Sequence, residues 1–189
     1  MNICFERHDN IISNYFYSMK KKQVAKMNEV IMSKKNKSLV VKASEGDAFW
    51  QPGTIKGNCI AIKVSPWNIP LTGHTVFLHE LPKNGTVGEH AHEKEEEIFI
   101  CLEGKGTITI DDKDFLFRQH DVAYIAPYSK HKIRATSDSP LKYMVIISPT
   151  GLEERLKLMG IERKSLNEAP PEPFDSNIGR QDTHGVIKR

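Results

Sequence analysis

The 189-residue chain has few cysteines and no long apolar run, and each shortage removes a class of proteins. Cys4, Cys59 and Cys101 are odd in number, widely spread and without a C-x-x-C pair. Neither a disulfide framework nor a thiolate zinc site is indicated, and a reducing cytoplasm is expected. No stretch approaches the ~18–20 consecutive apolar residues of a membrane span. Glu6, Arg7 and Asp9 stand where a secretory leader would carry its apolar core, so neither membrane insertion nor secretion is expected. Hydrophobic residues make up only 39% of the chain and charged residues 27%, which suits one domain of ordinary size with solvated ends.

Charge is unevenly placed. Up to Lys42, nine Lys and Arg face three acids, whereas the rest of the chain is net acidic. A basic arm can meet nucleic acid or an anionic surface, but no nucleic-acid fold signature accompanies this one; a solvated helix or tail is the expected state and nucleic acid is not an expected partner. Within the arm, residues 1–37, the apolar positions Ile11, Ile12, Tyr15, Phe16, Met19, Val24, Met27 and Ile31 give a broken helical pattern.

From Leu39 to Pro149 the pattern changes to short runs of Val, Ile, Thr, Phe and Tyr, with Gly, Pro, Asn or Asp every ten residues or so. Strands are predicted at 38–43, 46–50, 58–64, 73–81, 86–92, 96–103, 106–111, 113–118, 121–126, 131–137 and 141–148, which makes 38–149 an all-β barrel or sandwich. Asp111–Asp114 reads as a hairpin turn, and 102–106 as another reversal. In 150–189, Thr150-x-x-Glu153 reads as a capping box for a short helix that Gly160 stops, followed by a proline-containing tail.

The residues with chemistry in them lie between Gly88 and Gly104. On a strand, residues two apart share a face, so His90 and His92 project together. A turn over Glu93–Glu95 would bring Glu97 of the next strand against them, sharing its face with Phe99 and Cys101. His131 can add a third imidazole, and Glu89, Glu93, Glu95 and Glu96 read as a solvated acidic face. An isolated His-x-His is more often a surface pair than a ligand pair; the aligned Glu97, the spaced Gly104 and the distant Pro127-x3-His131 reverse that reading. Three imidazoles and a carboxylate suit one divalent transition metal ion, Fe, Mn, Ni, Co, Cu or Zn, and leave two positions of a six-coordinate ion for substrate.

His90-x-His92-x4-Glu97-x6-Gly104 resembles the first motif of the cupin superfamily, and Asp121-x5-Pro127-x3-His131 is similar to the second, with thirty-three residues between Glu97 and His131. The resemblance implies a double-stranded β-helix, a small jelly-roll barrel with a metal at its wider mouth held by His90, His92, Glu97 and His131, and a homodimer. The second motif departs from the pattern: His120 and Tyr128 stand where glycines are common, Ala126 where proline is and Ala135 where asparagine is. Ser148–Glu153 is similar to the end of quercetin-dioxygenase-like cupins. That subtype implies an Fe(II)-type dioxygenase of a small oxygenated substrate, with Glu97 both ligand and catalytic base. His79, Phe99, Cys101, Tyr128 and Ile133 are the expected pocket residues. A non-redox isomerase, epimerase or lyase of a sugar or organic acid, and a non-catalytic ligand- or metal-binding module, are the alternatives.

Overall fold

A computed structural model describes residues 38–52, 56–70, 72–165 and 168–172, and the backbone of 186–187. The helical pattern expected over 11–32 and most of the expected tail lie outside the described residues. Leu39–Arg189 form one compact unit. Its strands are β1 Asp47–Trp50, β2 Cys59–Val64, β3 Thr75–Leu81, β4 Thr86–His92, β5 Glu96–Glu103, β6 Lys105–Ile110, β7 Lys113–Arg118, β8 Val122–Ile125, β9 His131–Ala135 and β10 Leu141–Ser148. Helix α1, Leu152–Met159, and the short strands β11, Ile161–Glu162, and β12, Val186–Ile187, follow. Among the described residues no helix is long and apolar enough to cross a membrane.

Seven strands pair in the order β11-β1-β2-β3-β10-β5-β8 and five in the order β12-β4-β9-β6-β7. All pairings are antiparallel except β12, which runs parallel to β4 at Ala91 and His92. This is the double-stranded β-helix. Alternation builds it: β3 and β10 each bury every second residue, so Thr75, Phe77, His79 and Leu81 meet Leu141, Tyr143, Val145 and Ile147 inside the barrel. Ile108, Phe117, Ile133 and Ala135 of the smaller sheet close the same core. The β6–β7 hairpin turns at Asp111 and Asp112, whose φ of 46° and 65° match the twist of the strands they join.

Two expectations need correction. Residues 38–43 form no strand: the buried ammonium of Lys63 donates to the carbonyls of Lys42 (3.4 Å), Ala43 (3.0 Å) and Glu45, which gathers the chain into a turn and leaves Val40 exposed. Burial lowers the Lys63 pKa, and the Glu45 and Glu80 carboxylates oppose that shift while the carbonyls accept from its N–H groups. The capping box does not form either. Gly151 is the N-cap of α1, and Glu153 is turned inward, accepting from the Gly151 N–H and the Thr75 hydroxyl at 2.6 Å each.

Gly104 links β5 to β6 at φ 79°, and a Cβ there would lie 2.5 Å from the Pro140 carbonyl oxygen. Gly104→Ala is therefore expected to lower unfolding free energy by about 2 kcal/mol or more, the left-handed conformation alone costing ~1–2 kcal/mol for a residue with a Cβ. Urea denaturation followed by tryptophan fluorescence measures it; an unchanged midpoint would show that the β5–β6 reversal relaxes freely.

Candidate metal centre

The two sheets meet around four side chains. His90 and His92 come from β4, His131 from β9 and Glu97 from β5 of the opposite sheet. Their ligand atoms all lie within 4.8 Å of one another. His90 and His131 are cross-strand partners with ring centroids 4.2 Å apart, and His92 lies 5.0 Å from His90 and 5.5 Å from His131. Glu97 Oε2 is 2.9 Å from His131 Nε2 and 3.4 Å from His92 Nε2.

A bulge in β4 makes this alignment possible. Val87 pairs with Ile133 and His90 with His131, so three residues on β4 span two on β9. Gly88 and Glu89 absorb the extra residue, and Val87 and His90 both reach the same cavity wall. Glu89, expected to face away from His90, lines that cavity because it sits in the bulge.

Backbone carbonyls orient two of the rings. His90 Nδ1 lies 2.8 Å from Gly88 O, and His131 Nδ1 lies 3.0 Å from Ser129 O. A carbonyl only accepts, so each Nδ1 carries the proton and each Nε2 of a neutral ring presents a lone pair to the cluster. The loop that delivers His131 is tied to the ligand strand by the Tyr128 N–H donating to the His92 carbonyl at 2.7 Å. His120 and Tyr128 keep left-handed φ values of 74° and 66° where the motif's glycines would stand, so the turns survive the substitutions.

A family model for the cupin domain matches residues 77–147, which carry all four side chains. Residues 77–147 are a cupin domain. An uncharacterized protein of Methanocaldococcus jannaschii is 34% identical over 70 residues, 37% of this chain and 56% of that one. An oxalate-binding protein of Thermotoga maritima is 32% identical over 68 residues, 36% and 56% of the two chains. The match therefore spans a little over half the length of either curated relative. The crystal structure of a predicted oxalate decarboxylase from Thermotoga maritima, 25% identical, superposes with a TM-score of 0.50 over 59% of this chain and all of that one.

The four side chains of this cupin domain suit a metal ion by their own state. Glu97 Oε2, His92 Nε2 and His131 Nε2 are all buried and face only one another, at ion-pair distance. Buried polar atoms left this way are costly unless something else satisfies them, and one cation among them would. Burial would raise the Glu97 pKa, but the His131 and His92 rings beside it outweigh that and hold it down to about 2. Burial likewise opposes charge on His131, yet the Glu97 carboxylate wins and raises its pKa. His90 goes the other way, lowered to about 4 by burial and then by His131 and His92.

A cavity of about 570 Å³ opens on the ligands. His79, Phe99 and Ile133 line it, with Phe77, Val87 and Val145 beside them. Cys101 and Tyr128 do not. Cys101 shares the inward face of Phe99 but lies two residues farther along β5, its thiol toward the carbonyls of Glu103 and Gly104 at 3.8 and 3.9 Å. Tyr128 is 70% exposed because its left-handed backbone turns the phenol outward. Glu95, grouped with a solvated face, is buried: it continues the alternation of Glu97 and Phe99 one step before β5 begins. Sequence reasoning missed Gln51, Asn58, Tyr143 and Arg155 in the lining. The only available signal was the spacing of Leu152, Arg155, Leu156 and Met159, one face of α1.

Two measurements test the centre. Purified protein is expected to carry about one transition metal ion per chain, and Glu97→Ala or His92→Ala to carry less than a tenth of that by elemental analysis, with the barrel's circular dichroism retained. Metal must also displace the proton that Glu97 holds on His131. Affinity should therefore fall at least tenfold per pH unit below the raised His131 pKa, with His90 adding a proton only near pH 4. A chelator-competition titration across pH 5–8 reads the slope, and a flat profile excludes His131 as a ligand.

Proposed function

We propose that this cupin is a mononuclear metal-dependent oxidoreductase of the Fe(II) dioxygenase type, acting on a small oxygenated substrate that chelates the ion through adjacent oxygens. The observation that carries the reading is the juxtaposition of a three-His, one-Glu cluster with a 570 Å³ cavity whose walls include Phe77, Val87, Phe99, Ile133, Val145, Leu152 and Met159. Volume and lining suit a ligand with an apolar body and a polar end. A bound ion would supply Lewis-acid polarisation of the substrate oxygens and, as Fe(II), the electrons for chemistry with O2.

The protein's own contribution is placement and proton handling. The carbonyls of Gly88 and Ser129 hold two rings in the tautomer that donates through Nε2. Glu97, on the opposite sheet, offers a carboxylate that can take the proton a chelating hydroxyl gives up. The apolar walls exclude water from the bound substrate. A homodimer, implied by the family resemblance, and a reducing compartment, implied by cysteine usage, belong to the same reading.

A second reading has specific support. The names of two matches, both from Thermotoga maritima, point to oxalate, and Arg155 in the cavity lining adds a cation that would favour an acid. In that reading the site performs non-redox lyase or binding chemistry on an organic acid. The cavity is much larger than a two-carbon acid requires, which favours the first.

Protein loaded anaerobically with Fe(II) and then exposed to air is expected to consume O2 with a member of a catechol, flavonoid and diketone panel, and Glu97→Ala to consume none. Oxygen-independent turnover of a carboxylic acid with Mn, Ni or Zn would instead select the lyase reading.

A further inference from the structure

One wall of the cavity carries a hydrogen-bonded row of three buried side chains: Tyr143 of β10, His79 of β3, and Asn58 at the entry to β2. The Tyr143 hydroxyl lies 2.8 Å from His79 Nδ1, and His79 Nε2 lies 2.7 Å from Asn58 Oδ1. The Gln51 N–H fixes the Asn58 backbone by donating to its carbonyl at 2.8 Å. All three side chains line the cavity that contains the ligand cluster, and Asn58 lies outside the matched cupin region.

The direction of this row follows from counting protons. Burial lowers the His79 pKa to about 3, so the ring is neutral and has a single N–H. Burial raises the Tyr143 pKa well above its ordinary value, so the phenol keeps its proton. Among the described residues, the hydroxyl has His79 Nδ1 as its one acceptor and donates there. The ring proton is then on Nε2, and Asn58 must answer it with its oxygen. The Asn58 amide N–H2 is left facing away from His79, without an acceptor among the described residues, on a side chain 9% exposed that lines the cavity.

Strand register places the row away from the metal ligands. Tyr143 pairs with Cys101 and His79, whereas Glu97 pairs with Ile147, four residues along β10. That is about 13 Å of strand at ~3.3 Å per residue. We propose that Asn58 is a specificity-determining residue, whose amide donates to a carboxylate or carbonyl oxygen at the end of the ligand opposite its chelating oxygen pair. The substrate class is then an oxygenated ring or chain with vicinal oxygens at one end and an acceptor at the other. This rests on the chelation reading above.

The test uses the full chain loaded with Co(II), whose visible spectrum reports chelation without turnover. Two probes share a chelating pair: catechol, and 3,4-dihydroxybenzoate, which adds a distal carboxylate. Wild type is expected to bind the second roughly tenfold more tightly, the worth of one charge-assisted hydrogen bond. Asn58→Leu should abolish that preference and leave catechol binding unchanged. Asn58→Asp keeps the shape and the contact with His79 but presents an acceptor, so it should reverse the preference; it decides the matter alone if Asn58→Leu does not fold. Metal content and melting temperature accompany each variant. Equal binding of both probes by wild type, or a preference that survives in Asn58→Asp, overturns this proposal and leaves the chelation reading standing. A spectrum that neither probe perturbs overturns both.

Discussion

The site depends on one buried carboxylate. Glu97 is 3% exposed in the wall of an apolar barrel, and a charge there is tolerable only if a counter-charge sits against it. Without a metal, the proton on His131, 2.9 Å away, is that counter-charge; a divalent cation among the four ligands would replace it. Proton and metal compete for the same role. The rest of the arrangement makes the competition favour the ion, since His90 is already neutral at ordinary pH and both His90 and His131 have their Nδ1 atoms committed to carbonyls.

Glu97 and the imidazoles come from opposite sheets, so the centre exists only when the barrel is closed. That couples metal affinity to folding, and it places the geometric demand on β4 and its bulge. Without the extra residue at Gly88–Glu89, Val87 and His90 would fall on opposite faces of the strand, and either an apolar wall or a ligand would be lost. A glycine within the strand is the residue type that permits such an irregularity.

This explains which parts of the molecule could be read from the residues alone. Ten of the predicted strands lie within a residue or two of their observed bounds because each is a short run rich in β-branched or aromatic residues bounded by turn formers, a local property. The clustering of His90, His92, Glu97 and His131 was legible because three of the four sit at short fixed spacings, and Glu97 shares parity with its neighbours. Depth along a strand is not local. Cys101 has the right parity but the wrong depth, and Tyr128 follows a backbone φ that its own side chain gives no hint of. The failed strand at 38–43 has the same origin, for its fate is decided by Lys63, some twenty residues away. The unread pocket walls, Gln51, Asn58, Tyr143 and Arg155, come from four separate segments that only the sheet register and the helix bring together.

Helix α1 bears on how selective the cavity can be. Leu152, Arg155, Leu156 and Met159 face it, and the other sides of the helix are fastened to the barrel. Glu153 holds Thr75 and the Gly151 N–H, Trp67 Nε1 donates to Glu154 at 2.6 Å, the Lys157 ammonium stands 5.2 Å over the Trp67 ring, and Gln51 donates to the Leu156 carbonyl at 3.1 Å. Four attachments along eight residues make α1 a wall rather than a lid. A ligand is then discriminated by fit to a preformed space, not by a closure that it induces, and a preformed space spends little of the binding energy on ordering the protein. Under that constraint, polar groups fixed in the walls carry the recognition, because they need not be recruited when substrate arrives.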